Sequence, residues 1–163
     1  MTEPCALPPA GDYDALAAIA EEVLTGIADP VAAMATLASL LKEWLPRASW
    51  VGFYRVVAPE LLRIGPYQGP LGCLEIPFAR GVCGAAARER RSQLVPDVHA
   101  FPGHIACDER ARSELVLPVF DAAGELVAVL DLDSHLPAAF TEGDARGLVR
   151  LLDRLRPAFG SSA

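Results

Sequence analysis

The stretch Glu114-Leu115-Val116-Leu117-Pro118-Val119-Phe120, the turn Asp121-Ala122-Ala123-Gly124, and Leu126-Val127-Ala128-Val129-Leu130-Asp131-Leu132-Asp133 together decide the fold. Two short apolar runs flanking an Asp-to-Gly turn signal an antiparallel hairpin. Side chains alternate across a strand, so Asp131 and Asp133 share one face while Leu130 and Leu132 share the other. Glu114 opens the first run and lies across the hairpin, where it can join them. Two readings follow. Either the strand simply ends there and both aspartates are wet, or the carboxylates converge on a pocket. Converged carboxylates suit the binding of an ammonium group and the donation of one proton.

Upstream of this hairpin the chain reads as a second one. Ser49 to Val57 and Leu61 to Tyr67 are rich in β-branched and aromatic residues and are separated by Ala58-Pro59-Glu60. Leu74 to Phe78 and Gln93 to Val95 are further short extended segments, with an alanine-rich helix from Gly81 to Arg90 between them. Two helices come first. The spacing of Leu16, Ile19, Val23, Leu24 and Ile27 predicts one over Asp12 to Ala28, capped by Asp12. Pro30 starts another, carried by Val31, Met34, Leu37, Leu40, Leu41 and Trp44. A last helix runs from Thr141 to about Arg156. Helices at both ends of antiparallel hairpins define an α+β domain, one central antiparallel sheet flanked by N- and C-terminal helices. Residues 1–11 are expected to be a loose proline-rich arm, and 12–160 the domain.

Composition narrows the function. The chain has 163 residues, enough for one core that needs no disulfide to hold it. Its net charge of −7 leaves no basic excess to displace counterions, which argues against nucleic acid. The densest basic stretch, Arg88 to Arg91, is interrupted by Glu89 and reads as a solvated helix end. Apolar runs are too short to span a bilayer, and Met1-Thr2-Glu3-Pro4 lacks the basic start of a targeting segment. The expectation is a cytoplasmic protein with no membrane association.

In such a compartment Cys73, Cys83 and Cys107, all within the middle of the chain, point to metal binding or redox catalysis rather than structural bridging. Cys83 stands where a glycine turn opens a helix. Orphan amides there favour a thiolate, although a small buried hydrophobe is the commoner fate of such a cysteine. Cys107 lies in the polar end of a long connection, residues 96–112, and should be more accessible. Zinc on Cys73, Cys83, His104 and Cys107 lacks the paired ligand spacing of structural sites, so no metal is expected. His99 and His104 in that connection either orient a group or are solvated, the usual state of a lone loop histidine. Trp50 and Tyr54, four apart on a strand, share a face and either line a pocket or pack in the core.

Taken together, Gly65-Pro66-Tyr67-Gln68-Gly69, Gly81-Val82-Cys83-Gly84, Val95-Pro96-Asp97-Val98, Pro102-Gly103-His104-Ile105-Ala106-Cys107-Asp108, Ser113-Glu114 and Asp131-Leu132-Asp133 resemble the GAF-domain free methionine-(R)-sulfoxide reductases. That resemblance covers nearly the whole chain after the arm. It implies a GAF fold and reduction of free methionine (R)-sulfoxide. It implies Cys107 as the catalytic cysteine, oxidised to a sulfenic acid. Cys83 would be its disulfide partner, and Cys73 a third cysteine involved in recycling. By the same resemblance Glu114, Asp131 and Asp133 bind substrate, Trp50 and Tyr54 form an aromatic wall, and no cofactor is bound. Thioredoxin would be the external reductant, and a homodimer is an assembly the family allows. The Pro70-Leu71-Gly72 segment before Cys73 departs from the family pattern, and Cys5 has no counterpart in it. A GAF fold also hosts sensors that bind a small ligand without turnover, so that reading stands beside the enzyme.

Overall fold

Two helices begin the structure, each capped by the aspartate before it. The computed structural model describes residues 6–160, so Cys5 lies outside the described residues. Asp12 accepts the Ala15 N–H at 3.0 Å at the head of α1 (Tyr13–Val23). Asp29 accepts the Val31 N–H at 2.8 Å at the head of α2 (Pro30–Trp44), with Pro30 in the first turn where no amide is needed. α1 stops short of the expected Ala28, because Gly26 takes a left-handed φ of 78° and breaks the helical run. Its buried stripe is therefore Tyr13, Leu16, Ala17 and Ala20, while Val23 and Ile27 face solvent. The inner end of the arm is held: Leu7 packs on the core and the Pro8 carbonyl accepts the Trp44 indole N–H at 2.8 Å.

The sheet that follows has six strands, all paired antiparallel. β1 (Trp50–Ala58), β2 (Leu61–Gln68) and β3 (Glu75–Pro77) form one half. β4 (Gln93–Val95), β5 (Ser113–Phe120) and β6 (Leu126–Ser134) form the other. The order is β3-β2-β1-β6-β5-β4, so both predicted hairpins are present and β1 and β6 join them at the centre. This is the expected α+β architecture.

Each face of the sheet has its own cover. Val51, Phe53, Leu115, Leu117, Val119, Ala128, Leu130 and Leu132 point to α1, α2 and the C-terminal helix α4 (Glu142–Arg154), forming the main core. The alternate residues Trp50, Tyr54, Val116 and Val129 meet α3 (Gly81–Glu89) through Val82, Cys83, Ala86 and Ala87. Small side chains on α3 let its backbone come close to the sheet. Residues 96–112 then cross the end of this second face with a single 3₁₀ turn at Val98–Ala100. Among the described residues no helix is long and apolar enough to cross a membrane.

α4 is fixed by Asp144. Thr141 and Asp144 form a reciprocal capping box, and Asp144 also accepts the Tyr13 hydroxyl at 2.7 Å and pairs with Arg47 at 2.8 Å. One carboxylate thus ties α4 to α1 and to the exit of α2. Gly147, one turn on, lies against the Tyr13 ring with no room for a Cβ. We expect Gly147→Ala to destabilise the protein by about 1–3 kcal/mol through overpacking. Calorimetry would show a clear fall in Tm, whereas an unchanged midpoint would contradict this close approach.

Candidate active site

Strand register assembles the acidic face. Trp50 pairs with Asp133 and Asp133 with Glu114, while Gly52 pairs with Asp131 and Asp131 with Val116. The three carboxylates therefore lie in adjacent rows on the face turned away from the main core. Two of them are interior: Glu114 is 6% exposed and Asp131 5%. Asp133 is partly exposed. α3 lies over them, and its Cys83 thiol donates toward Glu114 Oε1 at 4.0 Å. The pocket lining carries no Lys or Arg, so nothing cationic balances the row.

Protons supply the balance. Burial pushes the Asp131 carboxyl up to about 7, against the opposing pull of Cys83 and Glu114 as donors. Burial, reinforced by Asp131 and Asp133, raises Glu114 well above the usual carboxylate range. Asp133 is raised too, by burial first and then by Asp131 and Asp108. Like charges this close cannot all ionise together. Asp131 Oδ1 and His104 Nδ1 are buried without a hydrogen-bond partner among the described residues, and His104 Nδ1 stands 4.0 Å from Glu114 Oε2. Burial, then His99, lowers the His104 pKa, so this ring sits neutral beside the acids. The pocket thus offers unfilled acceptor capacity and several protons held near neutrality.

An aromatic wall borders the acids. Trp50 and Tyr54 stack at 5.7 Å, as one face of β1 requires, and Tyr67 of β2 stacks on Trp50 at 5.2 Å. Gly52 makes this possible. A Cβ there would lie 2.6 Å from the Trp50 ring and would collide with Tyr67, its partner across the strands. The Trp50 indole N–H donates to the Pro70 carbonyl at 3.0 Å and holds the β2–β3 connection over the wall. Tyr67 was not among the expected site residues, although the hairpin register places it beside the strand that carries Trp50.

The cysteines depart from expectation. Cys107 is bonded to Cys73, with Cα atoms 5.3 Å apart, and Cys83 is a free, buried thiol. The expected Cys83–Cys107 pairing is therefore corrected to Cys73–Cys107. The cause is placement. Cys83 is fixed in the first turn of α3 with its sulfur turned down toward the carboxylates, whereas Cys73 lies on a connection that reaches the outer loop. Nor is Cys83 a helix-activated thiolate: burial first, then Asp131, Glu114 and Asp133, push its thiol well above the ordinary range. The zinc set does not assemble either, since Cys73 and Cys107 are bonded to each other. Cys107 is exposed, as its loop composition predicts.

That loop is anchored at several points. Val98 N–H donates to the Arg112 carbonyl at 2.9 Å, Arg112 N–H to Ser134 at 2.8 Å, and Gly81 N–H to Gly103 at 3.0 Å. Arg110, aided by His135, holds the Asp108 carboxyl well below its usual range, so Asp108 is a fixed negative charge at the rim. His104, expected to be solvated, is drawn into the pocket instead, and His99 remains outside against Arg112 at 2.9 Å. The cavity left among these groups is about 30 Å³, room for about one water.

A six-stranded antiparallel sheet with α1, α2 and α4 on one face and α3 on the other is the architecture of a GAF domain. The GAF domain family model matches residues 18–158. The chain is similar to the free methionine-R-sulfoxide reductase of Escherichia coli K12, at 40% identity over 133 residues, covering 82% of this chain and 79% of that protein. It is also similar to the X-ray structure of free methionine-R-sulfoxide reductase from Neisseria meningitidis in complex with its substrate. There the TM-score is 0.87 at 41% identity, over 98% of this chain and 95% of that one. The reduced form of the Staphylococcus aureus enzyme gives a TM-score of 0.86 at 34% identity, over 96% and 100% of the two chains. The chain belongs to the GAF-domain free methionine-R-sulfoxide reductase family.

The raised carboxyl of Asp131 has a consequence for stability. An unfolded aspartate titrates near pH 4, roughly, so above that pH the unfolded chain loses this proton before the native protein does. The native advantage is complete below that value and falls as pH rises through about 7. Relative to wild type, Asp131→Asn should therefore be at least about 1 kcal/mol more favourable at pH 8 than at pH 4. Thermal unfolding at both pH values measures this, and parallel pH profiles for the two proteins would contradict it.

Proposed function

We propose that this protein reduces free methionine (R)-sulfoxide to methionine, with Cys107 as nucleophile and Cys73 as the thiol that closes on it. The observation that carries this reading is the Cys73–Cys107 disulfide at the mouth of a pocket floored by protonatable carboxylates. A thiol–disulfide pair supplies the two electrons that a sulfoxide needs, and the floor supplies the proton. Within the reaction the Cys107 thiolate attacks the sulfoxide sulfur while a carboxylic acid of the floor protonates the oxygen. Oxygen passes to Cys107 as a sulfenic acid and methionine leaves. The Cys73 thiol then displaces that oxygen as water, forming the disulfide. An external dithiol, thioredoxin, returns both cysteines to thiols and becomes a disulfide itself.

Recognition of the free amino acid follows from two charges. Glu114, Asp131 and Asp133 hold the ammonium. The α-carboxylate is placed at the amides of Val82 and Cys83, where α3 begins with no side-chain cap from Arg80. A methionine sulfoxide inside a polypeptide lacks both charges and is excluded. The side chain lies along Trp50 and Tyr54, which suit a polarizable sulfur. The cavity of about 30 Å³ is too small for this substrate, so the disulfide form is the closed, product-side state and reduction opens it. The relatives' names, free methionine-R-sulfoxide reductase, support the choice of epimer. A thiol-reduced cytoplasm is the matching compartment.

The test supplies each sulfoxide epimer of free methionine with thioredoxin, thioredoxin reductase and NADPH. NADPH consumption is expected with the R epimer alone and is abolished in Cys107→Ser. Cys73→Ser should complete one turnover and then lose at least about tenfold in steady-state rate, whereas Cys83→Ser keeps cycling. Silence with both epimers would leave a ligand-binding sensor in place of the enzyme. Full cycling in Cys73→Ser would remove that cysteine from the reaction.

A further inference from the structure

Leu71 and Leu74 are the most exposed large apolar residues among those described, at 84% and 72%, and they flank Cys73. Single exposed leucines need no explanation, but a pair beside a surface disulfide does. Their exposure has a structural cause. The backbone of this connection is seated on the aromatic wall: the Pro70 carbonyl accepts the Trp50 indole N–H, and a Cβ at Gly72 would lie 2.9 Å from the Tyr54 hydroxyl. At its far end the Leu74 carbonyl accepts the Ile64 N–H at 3.0 Å. With the backbone seated inward, both leucines stand outward on either side of Cys73.

Charge is missing from the same surface. No Asp, Glu, Lys or Arg occurs from Ile64 to Leu74 or from Val98 to Cys107, the two segments that the disulfide joins. On the first segment the bounding charges, Arg63 and Glu75, pair with each other at 2.6 Å. On the second, Pro102, Ala106 and Cys107 are exposed. On the second segment the bounding charge beside Cys107, Asp108, pairs with Arg110 at 3.0 Å, so a chain of net charge −7 presents two uncharged, largely apolar segments at one surface disulfide.

We propose that this patch, centred on Leu71 and Leu74, is the docking surface for a protein dithiol reductant that presents its nucleophilic thiol from a complementary uncharged apolar surface. The proposal rests on the reductase reading and adds to it the site where the reductant is recognised. A protein has to be seated before its sulfur can approach along the S–S axis. Its thiolate attacks one sulfur of the Cys73–Cys107 bond, that bond breaks as the intermolecular one forms, and the departing sulfur takes a proton. The partner's second thiol then attacks the mixed disulfide, releases the remaining cysteine and leaves with the oxidation as its own disulfide. A small dithiol needs no such seat.

The experiment compares thioredoxin with dithiothreitol as reductant for wild type, Leu74→Ala and Leu74→Glu. Leu74 is outside the pocket lining, so turnover with dithiothreitol should be unchanged in both variants. The KM for thioredoxin should rise about five- to tenfold in Leu74→Glu and less in Leu74→Ala, with kcat nearly constant. An unchanged KM for thioredoxin would overturn the proposal, as would sedimentation showing that Leu74→Glu only dissolves a dimer. Wild-type turnover with dithiothreitol but none with thioredoxin would also overturn it and leave the reductase reading standing. Absence of turnover with either reductant would defeat that reading itself.

Discussion

The apolar face of the central sheet forces three carboxylates onto the other face. Leu115, Leu130 and Leu132 must point to α1, α2 and α4, and alternation then turns Glu114, Asp131 and Asp133 the opposite way. A one-residue slip would bury the acids in the main core and expose the leucines. Each large apolar side chain on that face contributes about 1.5–3 kcal/mol. Holding one carboxyl protonated near neutrality costs roughly 4 kcal/mol for three pH units. The core outweighs the acids, so register is settled by packing and the acidic row is its consequence.

Against that fixed floor the two covering elements behave differently. α3 is tied to the sheet by Ala86 and Ala87 and by the buried Cys83, so its thiol is a permanent part of the floor. The β2–β3 connection and residues 96–112 lie at the rim, and the Cys73–Cys107 disulfide joins those two. On the proposed reaction this bond opens and closes in each cycle, which is easier between loops than between a helix and the sheet it packs on. The burial that fixes Cys83, together with three neighbouring acids, also keeps its sulfur a thiol.

Much of this was legible in the sequence. Both hairpins, the α3 segment and the facing of Asp131, Asp133 and Glu114 follow from period-two alternation and turn composition. Trp50 and Tyr54 shared a face for the same reason. The end of α1 was less legible, because apolar spacing carried the helix past Gly26. Cysteine pairing was beyond reach, since it depends on which loops meet at the rim. Tyr67 was missed, and His104 was weighed but read as solvated, for a related cause. Tyr67 enters through cross-strand pairing with Gly52 and stacking on Trp50, and His104 through the anchoring of its loop at Gly81, Arg112 and Ser134. Local pattern gives the face of each strand. Contacts between distant segments decide what is brought to that face.

Acid floor and nucleophile oppose each other, because carboxylates disfavour a nearby thiolate. On the proposed reaction the conflict is resolved by the substrate. Without a cation the floor keeps its protons, since burial and mutual repulsion both oppose ionisation. An incoming ammonium stabilises an ionised carboxylate and so releases a proton inside the pocket, where the sulfoxide oxygen needs one. It also screens the remaining negative charge from the thiol at the rim. The cost of burying the acids is thereby tied to the ligand: one charge both holds the amino acid and readies the acid–base chemistry. A neutral sulfoxide of the same shape would find the floor protonated but the thiol unassisted, which places selectivity in the reaction step as well as in binding.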